Sequence, residues 1–168
     1  MSATQPILDS IQTHLLTQVK SFAVVLFPDS VEDYVLQDEP GAILIQYVGS
    51  EFEDSNKTDL LQQRRTLSIN LTVIARHQYH DDGALAMLDK VRLAIVGFRP
   101  THCFACSIIN ETFIAKENAL WRYQLQIKTE TLQVEQQQSK DLTRLTSVHY
   151  RQPHHPLNPN LKPKPTEI

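Results

Sequence analysis

The chain has 168 residues, of which 41% are hydrophobic and 21% are charged, and these values are typical of one globular domain. Its longest apolar runs are shorter than the roughly 20 residues that cross a bilayer, and its first residues lack the pattern of a signal peptide. Two cysteines are too few for a secreted disulfide scaffold. We therefore expect an intracellular protein that needs neither disulfides nor a metal ion to fold.

The net charge of −3 hides an uneven distribution along the chain. Residues 1–60 carry ten acids and two lysines, a net charge of −8, whereas the other 108 residues carry nine acids and fourteen lysines and arginines, a net charge of +5. Surfaces of opposite charge steer association, so the asymmetry is a candidate source of complementary patches. No segment interleaves clustered cations with aromatic residues, which disfavours a nucleic-acid-binding module.

The first part of the chain predicts one helix followed by two strands. Apolar residues spaced by three, four and one predict a helix over residues 7–19, and Pro6 stands where a first helical turn tolerates proline. Residues 22–27 predict a short strand, and residues 42–48 predict a buried one. Residues 51–61 are polar and acidic and predict a loop.

The second part predicts a strand, a helix and a final hairpin. Apolar and polar side chains alternate over residues 65–76, so this segment predicts a strand with one buried face. Residues 84–95 predict an amphipathic helix, for which Gly97 is a left-handed C-cap. Residues 105–116 and 121–131 predict two strands joined in a hairpin. The order α-β-β-β-α-β-β predicts an α+β fold, with two helices on one face of a mainly antiparallel sheet of four or five strands.

The C-terminal residues differ from the rest in composition. Five of the nine prolines lie in the last twenty residues, where few large apolar side chains occur. We expect a folded domain over residues 1–135, a hinge over 136–148 and an extended arm over 149–168. Such an arm can lie across a neighbouring subunit as a strap, and its predicted contact residues are Arg151, Leu157, Leu161, Lys162, Lys164 and Ile168.

Two short motifs are candidates for chemistry. Cys103 and Cys106 form a CxxC motif, but it follows the predicted second helix, whereas an activated thiol lies at a helix N-terminus. His77 and His80 could approach a metal ion, although their position between a strand and a helix suits polar residues in any case. A small intracellular metal- or thiol-dependent enzyme that uses these four residues is one alternative. The sequence contains no P-loop, dinucleotide fingerprint or zinc-protease motif, so we predict no catalytic, cofactor-binding or metal-binding residue.

Several landmarks follow one another between residues 7 and 135. They are the opening helix, Phe27-Pro28, residues 41–47 with Gly49-Ser50 behind them, the strand of residues 62–75, residues 88–92 before Gly97-Phe98, and the strand that opens with Leu120-Trp121-Arg122-Tyr123. Their order and spacing resemble the minor tail proteins of Mu-like prophages and other contractile-tailed phages. The resemblance implies a tail terminator, which is a non-enzymatic and usually hexameric ring that caps the finished tail tube.

The resemblance also implies partners and a location. The expected partners are further copies of the chain, the tail tube and sheath proteins, and a neck or head-completion protein. DNA would pass through the lumen without specific binding, and no membrane is involved. The protein would be assembled in the host cytoplasm and would lie at the head-proximal end of the tail in the virion. Another neck or head–tail connector ring is the alternative within phages.

An acidic segment is the second predicted contact surface. Glu51, Phe52, Glu53 and Asp54 lie in the predicted loop between two strands, where mutual repulsion of the carboxylates favours a solvated excursion. We expect this segment to contact a neighbouring subunit or a tail protein rather than a small ligand. The acidic residues could also line the lumen of a ring, and the sequence leaves both arrangements open.

Overall fold

A computed structural model describes residues 3–28, 36, 38–53 and 61–135 of the chain. Within these residues the elements are α1 (Gln5–Gln18), β1 (Ala23–Leu26), β2 (Gly41–Phe52), β3 (Gln62–Ala75), α2 (Ala84–Ile95), β4 (Ser107–Glu117) and β5 (Leu120–Val134). The predicted α+β fold and element order are confirmed. The predicted hinge and arm lie outside the described residues. Neither described helix is long and apolar enough to span a membrane.

The strands form one mixed sheet in the order β1-β2-β3-β5-β4. β1 runs parallel to β2, and the other three pairs of neighbouring strands are antiparallel. β3 lies in the centre and pairs along its length with both β2 and β5, from Phe52–Arg65 at one end to Gly41–Ala75 at the other. β3 therefore joins the β1–β2 side of the sheet to the β5–β4 side.

The main core lies between both helices and one face of the sheet. Alternation along β3 directs its apolar side chains towards the helices, as the sequence predicts for a strand with one buried face. The fully buried members of this core on β3, α1 and α2 include Leu67, Ile69, Leu71, Val73, Ile11, Leu15, Met87, Leu88 and Ile95. Complete burial of each larger aliphatic side chain contributes about 1.5–3 kcal/mol. A smaller cluster of Ala42, Leu44 and Ile74 is buried separately from this core.

The structure corrects the predicted end of the second strand. β2 continues to Phe52 and pairs with β3 as far as Arg65, so Glu51 and Phe52 belong to a strand rather than to a loop. The cause is an irregularity at Val48, which lies between two paired positions and has no partner of its own on β3. An extra residue shifts the alternation by one position. The polar sequence beyond Val48 therefore predicts a loop, although these residues continue the strand.

The final hairpin is present as predicted, and its turn is strained. Asn118 and Ala119 connect β4 to β5 with φ angles of 51° and 60°. A two-residue turn with positive φ at both positions matches the right-handed twist of the flanking strands. Asn tolerates this region, but the Cβ of Ala119 makes the left-handed conformation unfavourable. Gly97, with φ of 83°, takes its predicted place after the end of α2.

We expect Ala119→Gly to stabilise the protein. Removing the Cβ relieves the left-handed strain, so the free energy of unfolding should rise by about 1 kcal/mol in urea denaturation. Ala119→Val is the matched control and should lower the free energy, because a β-branched side chain fits this conformation less well than alanine. A loss of stability in the glycine variant comparable to that in the valine variant would contradict the turn geometry.

Candidate assembly surface

The end of the β2–β3 pair carries the described part of the predicted acidic contact surface. Glu51 and Phe52 are exposed at the end of β2, and Phe52 retains 52% of its accessible surface. Glu53 follows, and its backbone amide donates a hydrogen bond to the carbonyl oxygen of Arg64 at 3.0 Å. We call residues 51–53 the acidic tip. Asp54 and the six predicted contact residues of the arm lie outside the described residues.

Exposed ion pairs connect the tip to the neighbouring strands. The Arg64 guanidinium lies 3.9 Å from a carboxylate oxygen of Glu53 and 3.6 Å from one of Glu130 on β5. Solvent-exposed pairs of this kind contribute about 0–1 kcal/mol. Glu51 has no ion pair among the described residues. The tip therefore retains negative charge that can interact with a partner.

Arg65 is directed to the other face of β3 and is nearly buried, with 9% of its surface exposed. Its Nε donates to Ser50 Oγ at 2.8 Å, while its Nη2 donates to Thr4 Oγ1 at 2.8 Å and to the Tyr47 hydroxyl at 3.2 Å. The guanidinium carbon also lies 5.9 Å from the ring centroids of both Tyr47 and Phe52. Arg65 thus connects the start of α1 with the outer half of β2.

The charge of Arg65 is held without a carboxylate partner in the described part of the chain. The pKa of Tyr47 is lowered, first by its hydrogen bond with Ser50 at 2.9 Å and then by Arg65. Cation–π contact with two rings and three charge-assisted hydrogen bonds offset the cost of burying the guanidinium. Arg65 is not among the functional residues predicted from the sequence. Its position in the alternating pattern does indicate burial, because Arg65 falls on the same side of β3 as Leu67 and Ile69.

The two cysteines lie in a setting that suppresses thiol reactivity. Cys106 belongs to the buried core, and its burial raises the pKa of the thiol to about 11. Burial likewise raises the pKa of the half-buried Cys103. A reactive cysteine requires the opposite shift, since the thiolate is the nucleophile. The structure therefore gives no support to a thiol-dependent reaction at the CxxC motif.

The two predicted metal-ligand candidates lie beside β4 and β5. The rings of His77 and His80 meet edge to face, with centroids 4.6 Å apart, in a groove that Lys116 and Trp121 also line. No group of three or more His, Cys, Asp or Glu residues in the described ranges could hold a metal ion. The alternative metal site that combines these histidines with Cys103 and Cys106 is thus not assembled.

Comparisons with known proteins give a family and a fold. A family model described as Gp37 protein matches residues 11–152. A chain of the solved structure "Virion of native gene transfer agent (GTA) particle" is similar to this chain, with a TM-score of 0.51 and 13% sequence identity. The similarity covers 79% of this chain and 98% of that one, and at this identity it concerns the fold alone. No curated protein sequence matches the chain.

We expect Arg65→Met to destabilise the protein by about 2 kcal/mol, because three hydroxyl groups lose a charged hydrogen-bond donor near the edge of the core. Arg64→Met is the matched control on the neighbouring residue. It should change the free energy of unfolding by no more than about 0.5 kcal/mol, since the ion pairs of Arg64 with Glu53 and Glu130 are exposed to solvent. Urea denaturation of both variants measures the difference. Equal effects of the two substitutions would contradict the anchoring role of Arg65.

Proposed function

The chain belongs to the Gp37 protein family, a family of phage proteins, and on this basis we propose that it is a structural protein of the virion that terminates the tail. It forms a ring of six copies that occupies the end of the finished tail tube. The ring stops growth of the tube and presents a joining surface to the neck or head. Family membership over residues 11–152 is the observation that carries the proposal. Similarity in fold to nearly the whole of a chain from a virion supports it.

Exposed apolar side chains around the acidic tip support a role in assembly. Phe52, Leu61, Leu132 and Val134 are all about half exposed. Strand pairing brings them to one end of the sheet, because Gln62 is opposite Val134 and Arg65 is opposite Phe52. Apolar side chains grouped on a surface and accompanied by charged residues are typical of protein–protein contacts. This end of the sheet, which includes the acidic tip, therefore has the surface expected of a protein that acts within an assembly.

A six-membered ring of this domain has suitable dimensions. A compact domain of this size has a radius of gyration of about 14 Å, and an equivalent sphere is about 37 Å across. Six touching spheres enclose a hole as wide as one sphere, through which a DNA duplex can pass without specific binding. Subunits that join through two different patches form such a closed ring when the rotation between them closes. The proposed partners are other copies of the chain, the tail tube and sheath proteins, and a neck or head-completion protein.

The proposal is tested by the tails that form without this protein. In a phage or prophage that lacks its gene, the tube end stays open to further addition, so we expect tails of irregular length and heads without tails in negative-stain images. The purified protein should have about six times the 19.2 kDa mass of one chain in light scattering. Tails of normal length that fail to join heads would instead favour the connector alternative. Normal virions would overturn both.

Deletion of the predicted arm distinguishes a role in folding of the domain from a role in joining tails to heads. Removing residues 149–168 deletes no described helix or strand, so we expect the thermal unfolding temperature to stay unchanged. We expect the same deletion to weaken ring cohesion or the joining of tails to heads, since an extended arm adds contact area between subunits. A control truncation after Asn118 removes β5 and should abolish folding. Normal tail joining by the 149–168 deletion would contradict the strap.

A further inference from the structure

A groove of about 360 Å³ lies at the end of the sheet opposite the acidic tip. The segment after β3 and the β4–β5 hairpin form its walls. Ala75 of β3 is paired with Trp121 at this end, whereas Arg65 is paired with Phe52 at the other. Ten residues of extended strand separate these two pairs, which corresponds to about 33 Å. The tip and the groove of one molecule therefore do not meet. The groove is lined chiefly by Arg76, His77, Tyr79, His80, Lys116 and Trp121.

The groove combines positive charge with aromatic surface. Within the described ranges, its charged lining residues are Arg76 and Lys116, and none of its lining residues is a carboxylate. Lys116 Nζ lies 4.7 Å from the ring centroid of Trp121, and Lys116 forms no ion pair within the described residues. Tyr79 is 81% exposed. A ligand with carboxylates beside an aromatic ring matches this combination of side chains.

The nearest carboxylate on the same hairpin does not neutralise the groove. Glu117 accepts a hydrogen bond from Arg122 at 3.3 Å, so these two charges compensate each other. Asp81 and Asp82 follow His80 along the chain but do not line the groove. The positive charge of Lys116 is consequently available to a partner.

The acidic tip has the complementary chemistry. Glu51 and Glu53 flank Phe52 in an acid–aromatic–acid sequence, and all three side chains are exposed, the two carboxylates on one face of the strand and the ring on the other. Cation–π contact with Arg65 orients the Phe52 ring from behind. The pair between Glu53 and Arg64 is exposed and 3.9 Å long, so it offers little resistance to a new partner. Every molecule thus carries both halves of a matching contact, about 33 Å apart.

We propose that the acidic tip of one copy docks in the groove of the next copy. The end of β2 enters the groove between its two walls. The carboxylates of Glu51 and Glu53, on one face of the strand, meet Lys116 on the hairpin wall, and the Phe52 ring, on the other face, packs against Tyr79 on the wall formed by the segment after β3. The contact joins two different patches, so it propagates head to tail and closes a ring when the rotation allows. The inference rests on the proposed function, because it names the contact that would close the proposed ring.

Charge reversal tests the contact directly. Glu51→Lys combined with Glu53→Lys reverses the tip, and Lys116→Glu reverses one cation of the groove. Each variant should associate about tenfold more weakly than the wild type at physiological salt, because exposed like charges then face each other. The chain that carries all three changes should recover most of the lost association, since its reversed tip meets the reversed charge at position 116. Lys90→Glu on α2, a lysine that is also exposed and has no role in the contact, is the matched control and should associate normally.

The oligomer mass and shape from light scattering and negative-stain images separate the outcomes. A wild-type ring that persists in the reversed variants, or a triple variant no better than either parent, would overturn the contact and leave the proposed function intact. Open head-to-tail chains that respond to the substitutions as expected would support the contact and overturn the ring. A wild type that stays monomeric would contradict both. Binding of a single-stranded oligonucleotide that Lys116→Glu abolishes, with oligomers unchanged, would assign the groove to nucleic acid and overturn the contact.

Discussion

The alternation of side chains along β3 is the constraint on which the rest of the structure depends. β3 pairs with β2 on one side and β5 on the other, so its register fixes which residues of three strands face the helices. A shift of one residue would expose Leu67, Ile69, Leu71 and Val73 and bury the polar residues between them. Since these side chains form the floor of the main core beneath both helices, the positions of α1 and α2 follow from the same register.

Arg65 continues this face beyond the point where aliphatic packing ends. It occupies the next inward position of β3 after Leu67, and there hydroxyl groups and aromatic rings replace the aliphatic neighbours. The guanidinium donates three hydrogen bonds, to Thr4, Tyr47 and Ser50, so the outer part of β2 is held against the start of α1. Because the acidic tip follows immediately on β2, the core and the candidate assembly surface are connected through one side chain.

The regular parts of this fold could be predicted because local patterns determine them. Alternation identified β3 and β5, apolar spacing identified both helices, and Gly97 has the positive φ expected of a helix C-cap. The outer part of β2 could not be predicted, since the irregularity at Val48 changes the phase of the pattern. The contacts of Arg65 were equally inaccessible, because its partners come from two distant segments. The groove has the same origin: residues 76–80 and the β4–β5 hairpin meet only through the pairing of β3 with β5.

A stiff sheet with different chemistry at its two ends explains how weak contacts could produce a definite assembly. Exposed charges are screened over about 8 Å at physiological ionic strength, so one tip–groove contact would hold two copies only loosely. In a closed ring every copy makes two such contacts, and the closing contact forms within one particle at a high effective concentration. Complete rings would then be stable where open pairs are not. A tube end that already holds subunits side by side would favour closure further, which links the proposed contact to the proposed place of action.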